Sequence, residues 1–116
     1  MAALATVLMG IPLKPDQVDR TGIRGISSEM AQEAVKAGER WKLICSAHLE
    51  GATLITHVAP ERVAAATPFY SINGTSSYVQ FETDTLSGLG IVENDPSPDT
   101  TAYGLLADLV NAVRNA

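Results

Sequence analysis

Two segments of alternating polar and apolar residues, joined by a short turn, limit the possible folds of this chain most strongly. Trp41 to His48 places Trp41, Leu43, Cys45 and Ala47 on one face, and Ala52 to Val58 alternates again after the turn at Glu50-Gly51. Alternation with a period of two residues is typical of a β-strand with one covered face. The pair therefore predicts a β-hairpin.

Two other segments carry the apolar spacing of amphipathic helices. Ser27 or Ser28 can cap a helix that we predict to run to about Ala37 and to end at Gly38. The closing helix is the clearer one, and Asp99 is its expected N-cap. The apolar stripe of this helix comprises Ala102, Leu105, Leu106, Leu109, Val110 and Val113. We expect the stripe to pack on the sheet, with Leu106, Val110 and Val113 most buried.

Weaker signals complete the secondary structure. Ala2 to Met9 predicts a short helix followed by a left-handed Gly10, and Thr21 to Ile26 predicts a short strand. A further strand is predicted from Ser77 to Thr85, directly after the turn signal Asn73-Gly74. Strands beside helices without repeated β-α-β units indicate the α+β class. We expect a single domain spanning residues 1–116, with a mixed or antiparallel sheet and helices packed on one face.

Charge and composition exclude several classes of function. The net charge is −5 and the eight basic residues are scattered, which argues against nucleic acid as a partner. The apolar N-terminal stretch lacks the basic region of a signal peptide and is too short to span a bilayer, so no membrane association is expected. Cys45 is the only cysteine, which excludes an intrachain disulfide. We expect it to be buried, in a protein of the reducing cytoplasm.

Three sets of residues are candidates for chemistry. His48 and His57 lie on opposite arms of the hairpin and could face each other, but two histidines without a third ligand favour a polar pair over a metal site. Glu82 and Asp84 share one strand face and could form an acid–base dyad, although a solvent-exposed strand face is the simpler explanation. Gly88-Leu89-Gly90 lacks the third glycine of a dinucleotide-binding fingerprint, so no such site is predicted.

The order and spacing of the motifs resemble the C-terminal part of the homoserine dehydrogenases, over nearly the whole chain. That family has a V-x-x-E-G-I-type strand, a helix, a K-L strand, a V-N-G-V-type turn, a V-E-G-D strand and a closing A-D-L-V helix. The matching segments here are Val18 to Ile26, Trp41 to Ile44, Ile72-Asn73-Gly74, Phe81 to Asp84 and Ala107 to Val110.

The resemblance implies a catalytic and dimerisation region whose closing helix returns toward a cofactor domain. Such enzymes reduce aspartate semialdehyde to homoserine with NADPH or NADH. The family's catalytic lysine would fall at or before Met1, so no catalytic residue is assigned here. Its glycine-rich loop beside the nicotinamide matches Val92 to Pro98. By position alone, Glu93, Asn94 and Asp95 are therefore the expected cofactor-binding residues.

Three hypotheses follow. In the first, the chain is a fragment of a homoserine-dehydrogenase-like oxidoreductase whose parent uses NAD(P). It would be inactive alone, bind no cofactor by itself, self-associate, and require the missing N-terminal cofactor domain as a partner. In the second, it is a stand-alone dimerisation or small-molecule-binding module of the same fold. In the third, it is a small independent enzyme that uses Glu82 and Asp84.

Overall fold

A computed structural model describes residues 1–115 of the chain. The contacts divide the chain into two compact units, Met1–Tyr70 and the part that begins at Ser71. Helices, a mixed sheet in the first unit and an antiparallel sheet in the second confirm the predicted α+β class. No helix within residues 1–115 is long and apolar enough to cross a membrane.

The predicted hairpin is the centre of the first unit, and it is longer than the alternation indicates. Strand β2 is Glu39–Glu50 and strand β3 is Thr53–Ala64, and the pairing runs without a bulge from Glu39 opposite Ala64 to Glu50 opposite Thr53. Gly51 adopts the left-handed backbone, with φ +62°, that the connecting turn requires. The sequence prediction ended at Val58, whereas β3 continues through Pro60, a residue that donates no ladder hydrogen bond.

Proline is tolerated in β3 because the third strand covers only a short part of it. Strand β1, Asp19–Arg20, pairs in parallel with His57 and Val58 alone, so the sheet order is β1-β3-β2. The prediction of a strand from Thr21 to Ile26 was wrong. Ile23–Gly25 forms a 3-10 turn instead, since two glycines in that stretch supply no side chains to pack on a sheet.

Helix α2, Ser28–Lys36, follows the predicted caps. The Met30 N–H donates to the Ser27 side chain at 3.3 Å, and Gly38 beyond the helix has φ +71°. The indole N–H of Trp41 on β2 donates to the Met30 carbonyl at 3.3 Å, and this bond joins the helix to the strand. Helix α1, Ala2–Leu8, is likewise followed by a left-handed Gly10, as predicted.

The second unit contains a strand that the sequence did not reveal. Helix α3, Pro68–Ser71, lies at the boundary, and strand β4, Ser77–Phe81, pairs antiparallel with β5, Leu89–Glu93. Gly88 and Gly90 interrupt the apolar alternation around β5, which concealed it. The predicted extension of β4 to Thr85 was wrong. The Thr83 hydroxyl accepts from the Leu86 N–H at 2.9 Å and closes a turn that ends the strand.

Helix α4, Pro98–Arg114, contains the whole predicted stripe but does not pack as predicted. Its N-cap is Ser97 rather than Asp99, which lies in the first turn. Leu106, Val110 and Val113 are 58%, 45% and 70% exposed, so the expectation that these three residues are buried was wrong. Periodicity identifies the apolar face of a helix, but it does not identify what covers that face.

Little of the chain is buried. Ala5, Ala34, Val63 and Thr56 are the buried residues within 1–115, and Cys45, expected to be buried, is exposed. The accessible surface is 8805 Å². Two separate compact proteins with the masses of the two units would together expose roughly 7,300 Å² of accessible surface. The chain therefore leaves about 1,500 Å² more surface uncovered than compact bodies of its mass do.

Candidate functional site

The loop between β5 and α4 carries the three residues expected near a cofactor. Glu93 is the last residue of β5, and Asn94 and Asp95 follow it; all three are exposed. Asp95 has φ +42°, in the left-handed region that aspartate tolerates better than most residues with a side chain. The backbone thus bends at Asp95, directly before the closing helix.

Two serines at the start of β4 hold this loop in place. The Asp95 N–H donates to Ser76 Oγ at 3.0 Å, and that hydroxyl donates to Asp95 Oδ1 at 3.3 Å. The Ser77 hydroxyl donates to Glu93 Oε2 at 3.3 Å. Reciprocal bonds of this kind fix both the backbone and the side chain of Asp95, so the loop is an ordered feature of the second unit.

The predicted Asn73-Gly74 turn lies at the same place. Gly74 has φ +61°, and the Ser76 N–H donates to the Asn73 carbonyl at 3.1 Å. A side chain on Gly74 would begin 3.8 Å from Asp95 Oδ1. Pairing of β4 with β5 therefore brings together two motifs that the sequence separates by about twenty residues.

The first turn of α4 completes the candidate site. Thr100 Oγ1 accepts from the Ser97 N–H at 3.3 Å, and Asp99 lies within this turn. Three carboxylates, those of Glu93, Asp95 and Asp99, thus belong to one short segment. Carboxylates accept hydrogen bonds from hydroxyl and amide groups, and their charge opposes an approaching phosphate. The loop suits a neutral, donor-bearing ligand group.

The two histidines do not form the pair that the sequence allowed. In the hairpin His57 is opposite Ser46, and His48 is opposite Ile55. Each histidine instead contacts a carboxylate: His57 Nδ1 lies 2.9 Å from Asp19 Oδ2, and His48 Nε2 lies 3.3 Å from Glu50 Oε1. Within residues 1–115 no group of three potential ligands could hold a metal ion.

Glu82 and Asp84 are not placed as an acid–base dyad. Both follow the end of β4, so they do not share a strand face. Glu82 Oε1 accepts from the Gln80 side-chain amide at 3.1 Å, and Asp84 Oδ1 accepts from the Thr85 hydroxyl at 3.2 Å. Exposed carboxylates with separate local partners are typical of a solvated surface.

Sequence reasoning missed the two serines that hold the loop. Ser76 and Ser77 lie 16 to 19 residues from their partners, and the contacts depend on the pairing of β4 with β5. Since β5 was not predicted, no signal in the sequence connected these serines to the acidic loop.

Comparison with known proteins shows what the chain is similar to. The family model described as homoserine dehydrogenase matches residues 1–110. A homoserine dehydrogenase of Lactococcus lactis is 26% identical over 114 residues, and an NAD(+)-dependent homoserine dehydrogenase of Pseudomonas canavaninivorans is 26% identical over 115. The matches cover 98% and 97% of this chain but 27% and 32% of those proteins.

Solved structures agree on the fold. The homoserine dehydrogenase of Thiobacillus denitrificans superimposes with a TM-score of 0.85 at 22% identity, over 97% of this chain and 26% of that one. The homoserine dehydrogenase of S. aureus, solved at pH 6.5, superimposes with a TM-score of 0.82 at 17% identity, over 96% of this chain and 28% of that one. The chain spans about a quarter to a third of these proteins. The family match covers most of its length, so the chain belongs to the homoserine dehydrogenase family.

Proposed function

We propose that this chain is the C-terminal catalytic and dimerisation part of a cytoplasmic NAD(P)-dependent oxidoreductase that interconverts aspartate semialdehyde and homoserine. The observation that carries the proposal is the match to residues 1–110 with coverage of only 27% to 32% of the curated relatives. The cofactor domain would be the missing N-terminal part, on the same polypeptide or on another. The chain would be inactive alone.

The proposed reaction requires a hydride donor and a proton-transfer group, which the rest of the enzyme would supply. In the reductive direction a hydride passes from NAD(P)H to the aldehyde carbon and a proton passes to its oxygen, giving homoserine and NAD(P)⁺. By resemblance, the lysine that serves proton transfer falls at or before Met1. The chain's own contribution would be to shape the substrate side and to present the β5–α4 loop to the cofactor.

The hydrogen-bond acceptors of that loop suit part of a dinucleotide. We assign Glu93, Asn94 and Asp95 to the nicotinamide side, where a carboxamide and ribose hydroxyls offer hydrogen-bond donors. The carboxylates and the side-chain amide in this segment can accept such bonds. Three negative charges with Asp99 included do not suit the pyrophosphate. Asp95 is already held by Ser76, so little ordering would accompany contact.

The exposed apolar face of α4 is consistent with a partner domain that packs on it. Leu106 and Leu109 are 58% and 62% exposed, on a helix that begins beside the loop. In this proposal the cofactor domain covers that stripe when the loop reaches the nicotinamide. A contiguous row of exposed apolar side chains along a helix is common at interaction surfaces and uncommon on a free monomer.

Complementation tests the proposal. The chain would be co-expressed with the part of the Lactococcus lactis enzyme that the match does not cover, and NADH formation from homoserine and NAD⁺ would be followed. We expect activity from the mixture and none from either part. Leu109→Lys should abolish it without unfolding the chain, because Leu109 is exposed, while Val7→Lys on an exposed position of α1 should not. NADH binding by the isolated chain at micromolar concentration would contradict the proposal.

The cofactor loop has its own test in the active mixture. Glu93→Gln and Asp95→Asn remove charge and keep shape, so they should change KM for the cofactor and leave KM for homoserine unaltered. Glu82→Gln, a carboxylate outside the loop, is the matched control. Equal changes in KM for the cofactor and KM for homoserine would contradict the assignment of these residues to the cofactor site.

A further inference from the structure

Asp95 has a backbone conformation that its own sequence disfavours. Among residues 1–115 it is the only residue other than glycine with a positive φ, at +42°. The left-handed region is costly for residues that carry a side chain. The residue before a proline, here Pro96, also prefers an extended backbone. Contacts from outside the loop must therefore hold Asp95 in this conformation.

Ser76 supplies those contacts with a single hydroxyl group. Its Oγ accepts from the Asp95 N–H at 3.0 Å and donates to Asp95 Oδ1 at 3.3 Å. Ser76 is itself half-buried, and its N–H donates to the Asn73 carbonyl at 3.1 Å. The next residue, Ser77, pairs with Glu93 in the β4–β5 ladder, so the hydroxyl stands on a fixed support. One side chain thus holds both the backbone and the carboxylate of Asp95.

These two hydrogen bonds leave one oxygen of the Asp95 carboxylate available. Oδ1 is bound to Ser76, whereas no group within residues 1–115 donates to Oδ2, and the residue is exposed. A carboxylate accepts several hydrogen bonds, so Oδ2 can accept from a hydroxyl or amide group of a ligand. Residues that their surroundings hold in an unfavourable conformation are concentrated at ligand-binding sites. The arrangement is typical of an acceptor that is oriented before its ligand arrives.

We propose that Ser76 is a positioning residue for cofactor binding, which acts by holding Asp95 in the left-handed conformation with Oδ2 available to NAD(P). The inference rests on the proposed function, which assigns Asp95 to the nicotinamide side of the cofactor. Ser76 would contact no cofactor atom itself. Glycine adopts a positive φ without strain, so Asp95→Gly should make the backbone of the loop independent of Ser76.

Hydrogen exchange in the isolated chain tests whether Ser76 holds the loop. The Asp95 amide, followed by NMR, should exchange about tenfold faster in Ser76→Ala, because it loses its acceptor. Ser76→Thr keeps the hydroxyl and should exchange like the unsubstituted chain. Ser77→Ala is the matched control, since Ser77 donates to Glu93 and not to Asp95. Equal exchange rates in Ser76→Ala and the unsubstituted chain would overturn the proposal.

Cofactor binding in the co-expressed mixture tests the positioning role. Ser76→Ala should raise KM for NAD⁺ about threefold to tenfold, since binding must then order the loop, and should leave KM for homoserine unaltered. The dissociation constant of NADH, from fluorescence titration of the same mixture, should rise by the same factor. Ser76→Thr should restore both constants. In an Asp95→Gly background, Ser76→Ala should have no further effect, because the two residues act as one unit.

The outcomes separate this inference from the proposed function. An active mixture in which Ser76→Ala speeds amide exchange but leaves both cofactor constants unchanged would overturn the positioning role alone. Independent effects of Ser76→Ala and Asp95→Gly on the NADH dissociation constant would also overturn it, since Ser76 would then not act through Asp95. An unsubstituted mixture that neither binds NADH nor oxidises homoserine would overturn the proposed function, and the cofactor role of Ser76 with it.

Discussion

The ring of Tyr78 lies directly over Gly90 on the neighbouring strand. A Cβ atom on Gly90 would lie 2.6 Å from Tyr78 Cε2, closer than any real contact. Tyr78 pairs with Val92 and Gly90 pairs with Gln80, so the ring covers its diagonal neighbour in the β4–β5 ladder. Any larger residue at position 90 would displace this aromatic ring, so glycine is favoured here by packing and not by its backbone conformation.

Gly90→Ala should destabilise the second unit by about 1–2 kcal/mol, because the Tyr78 ring must move and lose its hydrogen bond to Gln80. Urea unfolding followed by tyrosine fluorescence measures this. Gly88→Ala, where an added Cβ meets nothing within 4 Å, is the matched control. When Tyr78 is already replaced by alanine, Gly90→Ala should cause no further loss in the free energy of unfolding. Independent, additive effects of the two substitutions would show that the ring contact is unimportant.

Trp41→Phe should reduce the free energy of unfolding by roughly 0.5–1.5 kcal/mol, since it removes the hydrogen bond from the indole to the Met30 carbonyl. The expected loss is in the first unit, where this bond joins α2 to β2. Denaturant unfolding followed by circular dichroism is the measurement. Tyr103→Phe, on an aromatic residue that is 74% exposed, is the control and should have no effect. Equal stability of the two variants would exclude a contribution from the bond.

Leu106→Ala should change the stability of the isolated chain by no more than about 0.5 kcal/mol, because the side chain is already exposed. Val63→Ala, at a site that is only 8% exposed, should cost about 1–3 kcal/mol. Thermal unfolding of both variants makes the comparison. A large loss for Leu106→Ala would show that α4 packs on its own chain in solution.

Acidification should weaken α2 through Glu29. Hydrogen bonds from Ser27, from the backbone of Glu29 and from Ser28 hold the pKa of this carboxyl below its ordinary value of 4.5. A depressed pKa in the folded state stabilises the fold above pH 4.5, and this contribution is lost as the pH falls through the folded value. Glu29→Gln should therefore flatten the stability profile below pH 4.5, whereas Glu33→Gln in the same helix should not. Identical acid profiles for both variants would contradict the assignment.

Local pattern was sufficient to predict the hairpin, the caps of α2 and the presence of α4. Each depends on residues close in sequence: alternation for β2 and β3, Ser27 and Gly38 for the helix ends. The acidic loop could be located by resemblance, but its geometry could not, because Ser76 reaches Asp95 only through the pairing of β4 with β5. Strand β5 itself was hidden since Gly90 leaves a gap in the alternation that Tyr78 fills from the other strand.

The sequence by itself determined most of the helices and strands, which of their faces are apolar, and to which family the order of motifs belongs. Tertiary structure alone decided which of those faces are covered. The stripe of Leu106 and Val110 and the positions Leu43 and Leu49 on β2 are apolar by sequence, yet they are exposed in the folded chain. The physical reason is that the hydrophobic effect depends on area removed from water, and that area depends on the neighbours that the fold supplies.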